Sequence, residues 1–218
     1  MQSYDAKEII ARRVAKELKD GYIVNLGIGL PSLVSNHIPA NVSITLHAEN
    51  GILGTGPLCL PGEEDPNVIN AGNQHVHIAK GASFFDSVMS FAIIRGGHVD
   101  ITVLGALQVD AEGNIASHLI PGKMVPGMGG AMDLMAGAKK VVVAMLHTAK
   151  GTPKIMQRCS LPLTAKGKVN MIITEKAVME VTERGLELVE IMPGCTIEEI
   201  RQCTDAELIV HQPQTAMN

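Results

Sequence analysis

Val141-Val-Val-Ala-Met145 is apolar at every position, and a strand of that kind is stable only when both of its faces are covered. A strand with one wet face alternates polar and apolar residues, whereas an unbroken β-branched run belongs inside a parallel sheet. Tyr22-Ile-Val-Asn-Leu26, Val99-Asp-Ile-Thr-Val-Leu104 and Met171-Ile-Ile-Thr174 also read as strands. Helical patterns lie between them. Ile9, Ile10, Val14 and Leu18 recur near helical spacing, with Lys7, Arg12, Arg13, Lys16 and Lys19 as a solvated face and Asp20-Gly21 as the stop. Phe84 to Ile94 reads as a second helix, stopped by Gly96-Gly97, and a third opens at Ala131.

This alternation predicts an α/β fold, a mainly parallel sheet with helices on both faces. The 218 residues contain no internal repeat and no linker, so a single domain over residues 1–218 is expected, with an ordered core of about 5–210. Val178-Met-Glu-Val and Leu186-Glu-Leu-Val read as a hairpin around Glu183-Arg-Gly185. Thr196-Ile-Glu-Glu199 fits a capping box, Glu207-Leu-Ile-Val210 closes the order, and His211 to Asn218 reads as a frayed tail.

Composition removes several functions. A formal charge of −4 with scattered basic residues leaves no footprint for nucleic acid, and no Trp, two Tyr and three Phe offer little to stack on bases. No apolar run reaches the roughly 18 residues of a membrane span. The four cysteines form no C-x-x-C pair, and Met1 leads straight into a charged helix. A cytoplasmic protein with reduced thiols is expected.

Candidate functional residues gather at strand ends, where open α/β sheets bind ligands. Glu49, in Leu46-His-Ala-Glu-Asn-Gly-Ile-Leu-Gly54, is the only acid between Asp20 and Glu63 and follows the strand Ser43-Ile-Thr-Leu46. It is either a catalytic carboxylate at the mouth of the sheet or a cap for the next turn. Gly27 and Gly29 precede Pro31 at a helix start, but Ser32 stands where a dinucleotide fingerprint needs its third glycine. Gly54 to Pro66 reads as a surface excursion carrying Glu63-Glu64-Asp65, and Asn70-Ala-Gly72 as a turn. His75 and His77 alternate as on one strand face, with no third ligand at a recognisable spacing for a metal. Gly122, Gly127, Gly129 and Gly130 precede the third helix and can aim several backbone N–H groups one way, as a shaped loop or a plain connector. Lys123 followed by Met124 rules out a Walker A loop.

There is no G-x-S-x-G elbow, no H-E-x-x-H and no zinc-ribbon spacing. A carboxylate can itself be a covalent nucleophile, and glycine-loop N–H groups can stabilise the oxyanion of its attack on a carbonyl. Acyl transfer is the chemistry these residues permit.

The Glu49 stretch also resembles the catalytic signature of the family I CoA-transferases. The likeness extends through Asn25-Leu-Gly-Ile-Gly-Leu-Pro31, Ile69-Asn-Ala-Gly72, Phe91 to Asp100, Leu104 to Val109, Ile120 to Met124, Gly127 to Asp133 and Leu161 to Thr164. In order and spacing these fragments are similar to the B (beta) subunit of 3-oxoacid CoA-transferases, over roughly residues 5 to 210. The resemblance implies a fold like that of the sugar-phosphate isomerases and a ping-pong reaction through a glutamyl-CoA thioester on Glu49. It implies Gly130, with Ala131, in the oxyanion and substrate contacts, and Asn25 close to Glu49. Asn50 and Gly51 would fix the turn presenting the carboxylate, and Gly27, Gly29 and Gly129 would let CoA approach the backbone. It further implies a coenzyme A thioester as substrate, no permanently bound cofactor or metal, and an A (alpha) subunit that completes the site in an α2β2 heterotetramer. An acyl-CoA hydrolase on the same scaffold and a non-catalytic metabolite-binding module are the alternatives. Two positions depart from the pattern, Ala48 where Ser is usual and His118 where Trp is common.

Overall fold

The computed structural model describes residues 5–123 and 127–217, so the Met124 end of the Lys123-Met124 stretch lies outside the described residues. In chain order the elements are α1 (Ala6–Ala15), β1 (Ile23–Leu26), a 3-10 helix (Leu30–His37), β2 (Thr45–Ala48), β3 (Ile52–Leu58), β4 (Val76–Phe84), α2 (Ser87–Arg95), β5 (Ile101–Leu104), β6 (Gln108–Asp110) and β7 (Ile115–Ala116). There follow α3 (Ala131–Gly137), β8 (Lys140–Ala144), β9 (Thr148–Ala149), β10 (Thr152–Pro153), β11 (Ile155–Met156), β12 (Met171–Ile173), β13 (Ala177–Thr182), β14 (Gly185–Ile191), α4 (Ile197–Gln202) and β15 (Leu208–Ala216).

Ten strands form one sheet in the order β15-β14-β13-β12-β8-β5-β1-β2-β3-β4. Its centre, β12-β8-β5-β1-β2, is parallel throughout. Antiparallel wings extend it on both sides, β13 and β14 beyond β12 and β3 and β4 beyond β2. The period of two along a strand sorts the apolar runs onto two faces. Val141, Val143 and Ile172 pack with Ile94 of α2, Leu134 and Met135 of α3 and Ile200 of α4. Val142, Ala144, Ile101, Val103 and Ile173 pack with Ile10 and Val14 of α1 and Val34 of the 3-10 helix. The sequence-level expectation of a largely parallel sheet covered on both faces therefore holds, and the hairpin around Glu183-Arg-Gly185 is the β13–β14 pair.

Four local expectations are corrected. The segment after Gly29 winds as a 3-10 helix, because the Ser32 and Ser35 hydroxyls donate back to Gly29 O (2.7 Å) and Ser32 O (2.8 Å) and compete for carbonyls an α-helix would use. Gly54 to Leu58, expected to start a surface excursion, is part of β3 and pairs with β4. Only His77 of the two histidines lies in β4; its Nε2 meets Glu63 at 3.0 Å, while His75 Nδ1 donates to Asp65 O and Val68 O. The expected frayed tail is instead strand: β15 runs parallel to β14 as far as Ala216, and Met217 is buried.

Arg13 is also misplaced by the helix-face pattern. It is 6% exposed and binds Glu190 of β14 through Nε and Nη2 (2.6 and 2.7 Å) and Glu17 through Nη1 (2.7 Å), while Lys140 of β8 binds the other Glu17 oxygen at 2.6 Å. The cluster fixes α1 across the sheet. Burial opposes ionisation of Glu17, yet its bonds to Lys140 and Arg13 hold it below the usual carboxylate range.

His147, fully buried, ties α4 to the sheet. Its Nε2 donates to Thr204 Oγ1 (2.9 Å), whose own proton goes to Ile200 O (2.7 Å), and its Nδ1 meets Thr174 Oγ1 (2.9 Å), a hydroxyl that also reaches Ala177 O (3.2 Å). Burial together with the Lys176 charge lowers the imidazole from 6.5 to about 4, so the ring is neutral at neutral pH. As pH falls, the unfolded chain takes up this proton first. The stabilisation from neutral His147 is complete above about pH 6.5 and is lost as pH falls toward 4. Urea titrations across that window are expected to show about 3 kcal/mol of unfolding free energy lost through this residue. A His147→Gln variant should be less stable at neutral pH and give a flatter profile.

Candidate active site

The parallel register aligns one polar residue on each of three neighbouring strands. Asn25 of β1 stands beside His47 of β2 on one side and Thr102 of β5 on the other. All three are buried, Asn25 at 1% exposure. Asn25 Nδ2 donates both hydrogens, to His47 O and to Glu49 Oε2, each at 3.1 Å, and Thr102 Oγ1 donates to Asn25 Oδ1 at 3.4 Å. The amide is thus fully engaged, and its orientation is fixed by the sheet.

Glu49 lies just past the end of β2 and is half-buried. Among the described residues no cationic side chain pairs with it; its hydrogen-bond partner is the neutral Asn25 amide. The His47 ring behind it contacts Ser90 Oγ of α2 through Nε2 (3.1 Å) and stacks on Phe85 with centroids 6.2 Å apart. Burial lowers the His47 pKa, with the Glu49 charge opposing the shift. The ring is thus neutral, and its buried Nδ1 has no hydrogen-bond partner among the described residues.

Two glycines set where that carboxylate can be. Gly51 has φ 124°, and a Cβ there would lie 2.1 Å from Phe85 O. Gly51 N–H donates to Ala48 O and its carbonyl accepts from Phe85 N–H, both at 3.0 Å, so the turn from β2 to β3 is pinned to the start of α2. Gly130, buried at the N-cap of α3, lies against Glu49; a Cβ there would be 3.4 Å from both Glu49 Cγ and Phe91 Cζ. The N–H of Ala131 turns inward to Met128 O at 3.0 Å.

The remaining candidates frame the opening. Gly27 N–H donates to Val103 O (2.8 Å), and Gly29 has φ 86°. Gly129 has φ 50°, with nothing within 4 Å of where its Cβ would stand. Asn50 Nδ2 reaches Ile69 O at 2.7 Å and so joins the Glu49 turn to the 69–72 loop. A Cβ on Gly72 would sit 3.7 Å from Ile28 Cγ1, so the 70–72 loop abuts the 27–29 loop. Beneath these loops a cavity of about 600 Å³ is lined by Glu49, Ala48, β3, the 3-10 helix and residues 70–72. His118 Nδ1 meets Thr164 Oγ1 at 2.9 Å.

The geometry therefore brings Glu49, Asn25, Asn50, Gly51 and Gly130 into one turn-and-loop cluster, with Gly27 on the cavity wall and Gly29, Gly129 and Ala131 outside that lining. Sequence reasoning missed His47, Ser90, Phe85 and Phe91, the layer beneath the carboxylate. Ser90 on an otherwise apolar helix stretch was the visible signal for that layer; nothing marked the Phe85 carbonyl.

The family model described as "Coenzyme A transferase" matches residues 7–202. The beta subunit of acetate CoA-transferase from Escherichia coli K12 is 54% identical over 207 residues, covering 94% of each chain. The B subunit of succinyl-CoA:3-ketoacid coenzyme A transferase from Helicobacter pylori J99 is 48% identical over 206 residues, covering 94% of this chain and 99% of that one. Among solved structures, an acyl-CoA transferase from E. coli O157:H7 superposes with a TM-score of 0.78 at 24% identity, over 98% of this chain and 43% of that chain, a likeness of fold. The match over nearly the whole length, around a carboxylate held by a neutral amide, makes this chain a member of the coenzyme A transferase family.

Proposed function

We propose that this chain is the B subunit of a CoA-transferase that moves CoA between a short acyl-CoA, including 3-oxoacyl-CoA, and a short carboxylic acid, with Glu49 as the covalent nucleophile. The observation that carries the reading is the Glu49 carboxylate, oriented by Asn25 and free of any cation partner among the described residues. A salt bridge would have to be broken before the oxygen could form a bond; an amide hydrogen bond leaves the second oxygen and its charge in play.

The bonds balance without a further reagent. A Glu49 oxygen attacks the thioester carbonyl, the C–S bond breaks, and CoA leaves as thiolate from an acyl-glutamyl anhydride. The thiolate then attacks the Glu49 carbonyl and expels the acyl group as a carboxylate, leaving a glutamyl-CoA thioester. A second acid repeats both steps in reverse. The Gly130 backbone, beside the Glu49 side chain, contributes the donor for the oxyanion, with Ala131 next to it on the substrate side. Asn50 and Gly51 hold the turn, and Gly27, Gly29 and Gly129 let CoA come close to the backbone.

The relatives that are beta or B subunits support a partner A subunit; the α2β2 stoichiometry is part of the proposal. An apolar surface along the start of α2 fits that partner: Phe84, Val88 and Met89 are 60%, 77% and 54% exposed. No helix among the described residues is long and apolar enough to cross a membrane, and the four cysteines are free thiols, which suits the cytoplasm.

Incubating the A–B pair with an acyl-CoA is expected to leave a CoA adduct on Glu49, read by mass spectrometry. Glu49→Gln should abolish the adduct and lower transfer on the order of 10⁴-fold. Full transfer by that variant would refute the covalent role, and CoA release without an acceptor acid would mark a hydrolase instead. Asn25→Asp sets a second carboxylate against Glu49 and replaces a donor, so kcat/KM should fall by about 10- to 100-fold. The acid limb of its pH profile should move to higher pH, because like charges favour the protonated forms. Val88→Glu should leave the melting temperature of the isolated chain within a few degrees of wild type and weaken association with the A subunit in sedimentation experiments.

A further inference from the structure

Helix α2 stands between the Glu49 turn and the start of α3 and touches both. Successive residues of a helix point about 100° apart, and Ser90 and Phe91 use that angle to face two different elements. Ser90, 0% exposed, faces the sheet and meets His47 Nε2 of β2 at 3.1 Å. Phe91 faces α3, its Cζ and Cε1 lying 3.4 and 3.5 Å from where a Gly130 Cβ would stand. The rest of α2 is closed against α3 as tightly. A Cβ on Gly137 would run into Ile94 O, and Arg95 Nε binds Asp133 Oδ1 at 2.7 Å while its guanidinium stands 5.6 Å from the centre of the Phe91 ring. The two helices are locked together, so the grip of α2 on the sheet also fixes the start of α3.

That grip runs through His47. Its carbonyl accepts from the Asn25 amide that also holds Glu49, and its ring stacks on Phe85. Its buried Nδ1 has no hydrogen-bond partner among the described residues, so the bond to Ser90 is what the ring has. Without the Ser90 hydroxyl both ring nitrogens would be unpaired in the interior, and the ring would turn or draw in water.

We propose that Ser90 and Phe91 are positioning residues for acyl transfer. Ser90, through His47, steadies the end of β2 that leads to Glu49, and Phe91 backs Gly130. Together they make α2 the spacer that sets the gap between the carboxylate and the backbone donor for the oxyanion. The inference rests on the covalent reading of Glu49, with Gly130 as that donor. The gap matters most when charge develops on the attacked carbonyl oxygen. A donor displaced by a fraction of an ångström still lets the thioester bind but stabilises the transition state less. A positioning role therefore costs kcat and spares KM, whereas a role in stability alone costs active molecules.

The test uses the reconstituted A–B pair with acetoacetyl-CoA. Steady-state kcat and KM are measured, together with the rate and final stoichiometry of the Glu49 adduct by quenched-flow mass spectrometry. Ser90→Ala removes only the hydroxyl, and Phe91→Leu keeps an apolar side chain but draws it back from Gly130. Each should lower kcat and the rate of adduct formation by about tenfold, with KM within about twofold of wild type. The final amount of adduct per chain should be unchanged. Wild-type kcat in either variant, a loss carried by KM, or a loss matched by fewer adduct-forming chains overturns the inference and leaves the covalent reading standing. An adduct absent from the wild-type pair overturns the covalent reading and this inference with it.

Discussion

The Asn25 side chain is the hinge of the arrangement. Its two amide hydrogens join the backbone of the neighbouring strand to the Glu49 carboxylate, so that carboxylate inherits the rigidity of the parallel sheet. Thr102 on the other side fixes which way the amide faces. A charged donor in place of Asn25 would bind the carboxylate more strongly, but it would also hold the oxygen pair and stabilise the ground state of the group that must react. A neutral donor orients at lower cost to nucleophilicity. The neutral state of His47 matters for the same reason, since a buried imidazolium behind Glu49 would form the ion pair that Asn25 avoids.

Backbone approach is the second constraint. The Gly51 turn touches the Phe85 carbonyl, and Gly130 touches the Glu49 side chain and Phe91. The carboxylate is therefore held between the first residues after β2 and the first residues of α3, with α2 filling the space between. A methyl group at Gly51 would have to displace backbone, whereas one at Gly130 would make ordinary contact. Gly51 is there for the fold of the turn, and Gly130 for the room it leaves beside the Glu49 carboxylate.

Much of the framework was legible in the chain because each central strand carries its own evidence. Val141 to Met145 is apolar at every position and falls in the middle of the sheet. The capping box at Thr196 and Glu199 appears as written. The wings were less legible. Gly54, Gly56 and Pro57 weaken the strand pattern of β3, yet the partner strand β4 pulls the segment into the sheet through two register shifts. The end of the chain has a polar sequence, but the exposed edge of β14 supplies its hydrogen bonds. Arg13 looked solvated because its bidentate partner Glu190 is 177 positions away and the Lys140 that holds its neighbour Glu17 belongs to β8. The site shows the same division. Glu49 stood out as an isolated acid at a strand end, whereas the row of Asn25, His47 and Thr102 exists only once three strands are in register.

The half-buried state of Glu49 has a consequence for the proposed chemistry. An acyl anhydride reacts readily with water, and the carboxylate of this chain has Gly130 against its side chain and the buried Asn25 amide on one oxygen. Its remaining approaches pass the 27–29 and 70–72 loops, which meet across the cavity without closing it. Water must be excluded if the thioester is to be conserved rather than spent as hydrolysis. A cover for this opening would fit the edge of the sheet where Ile28 is 70% exposed and the apolar start of α2 is also exposed. On the covalent reading, this chain supplies the rigid half of the site, carboxylate and orienting amide, and the dry environment a transferase needs falls to whatever covers that opening.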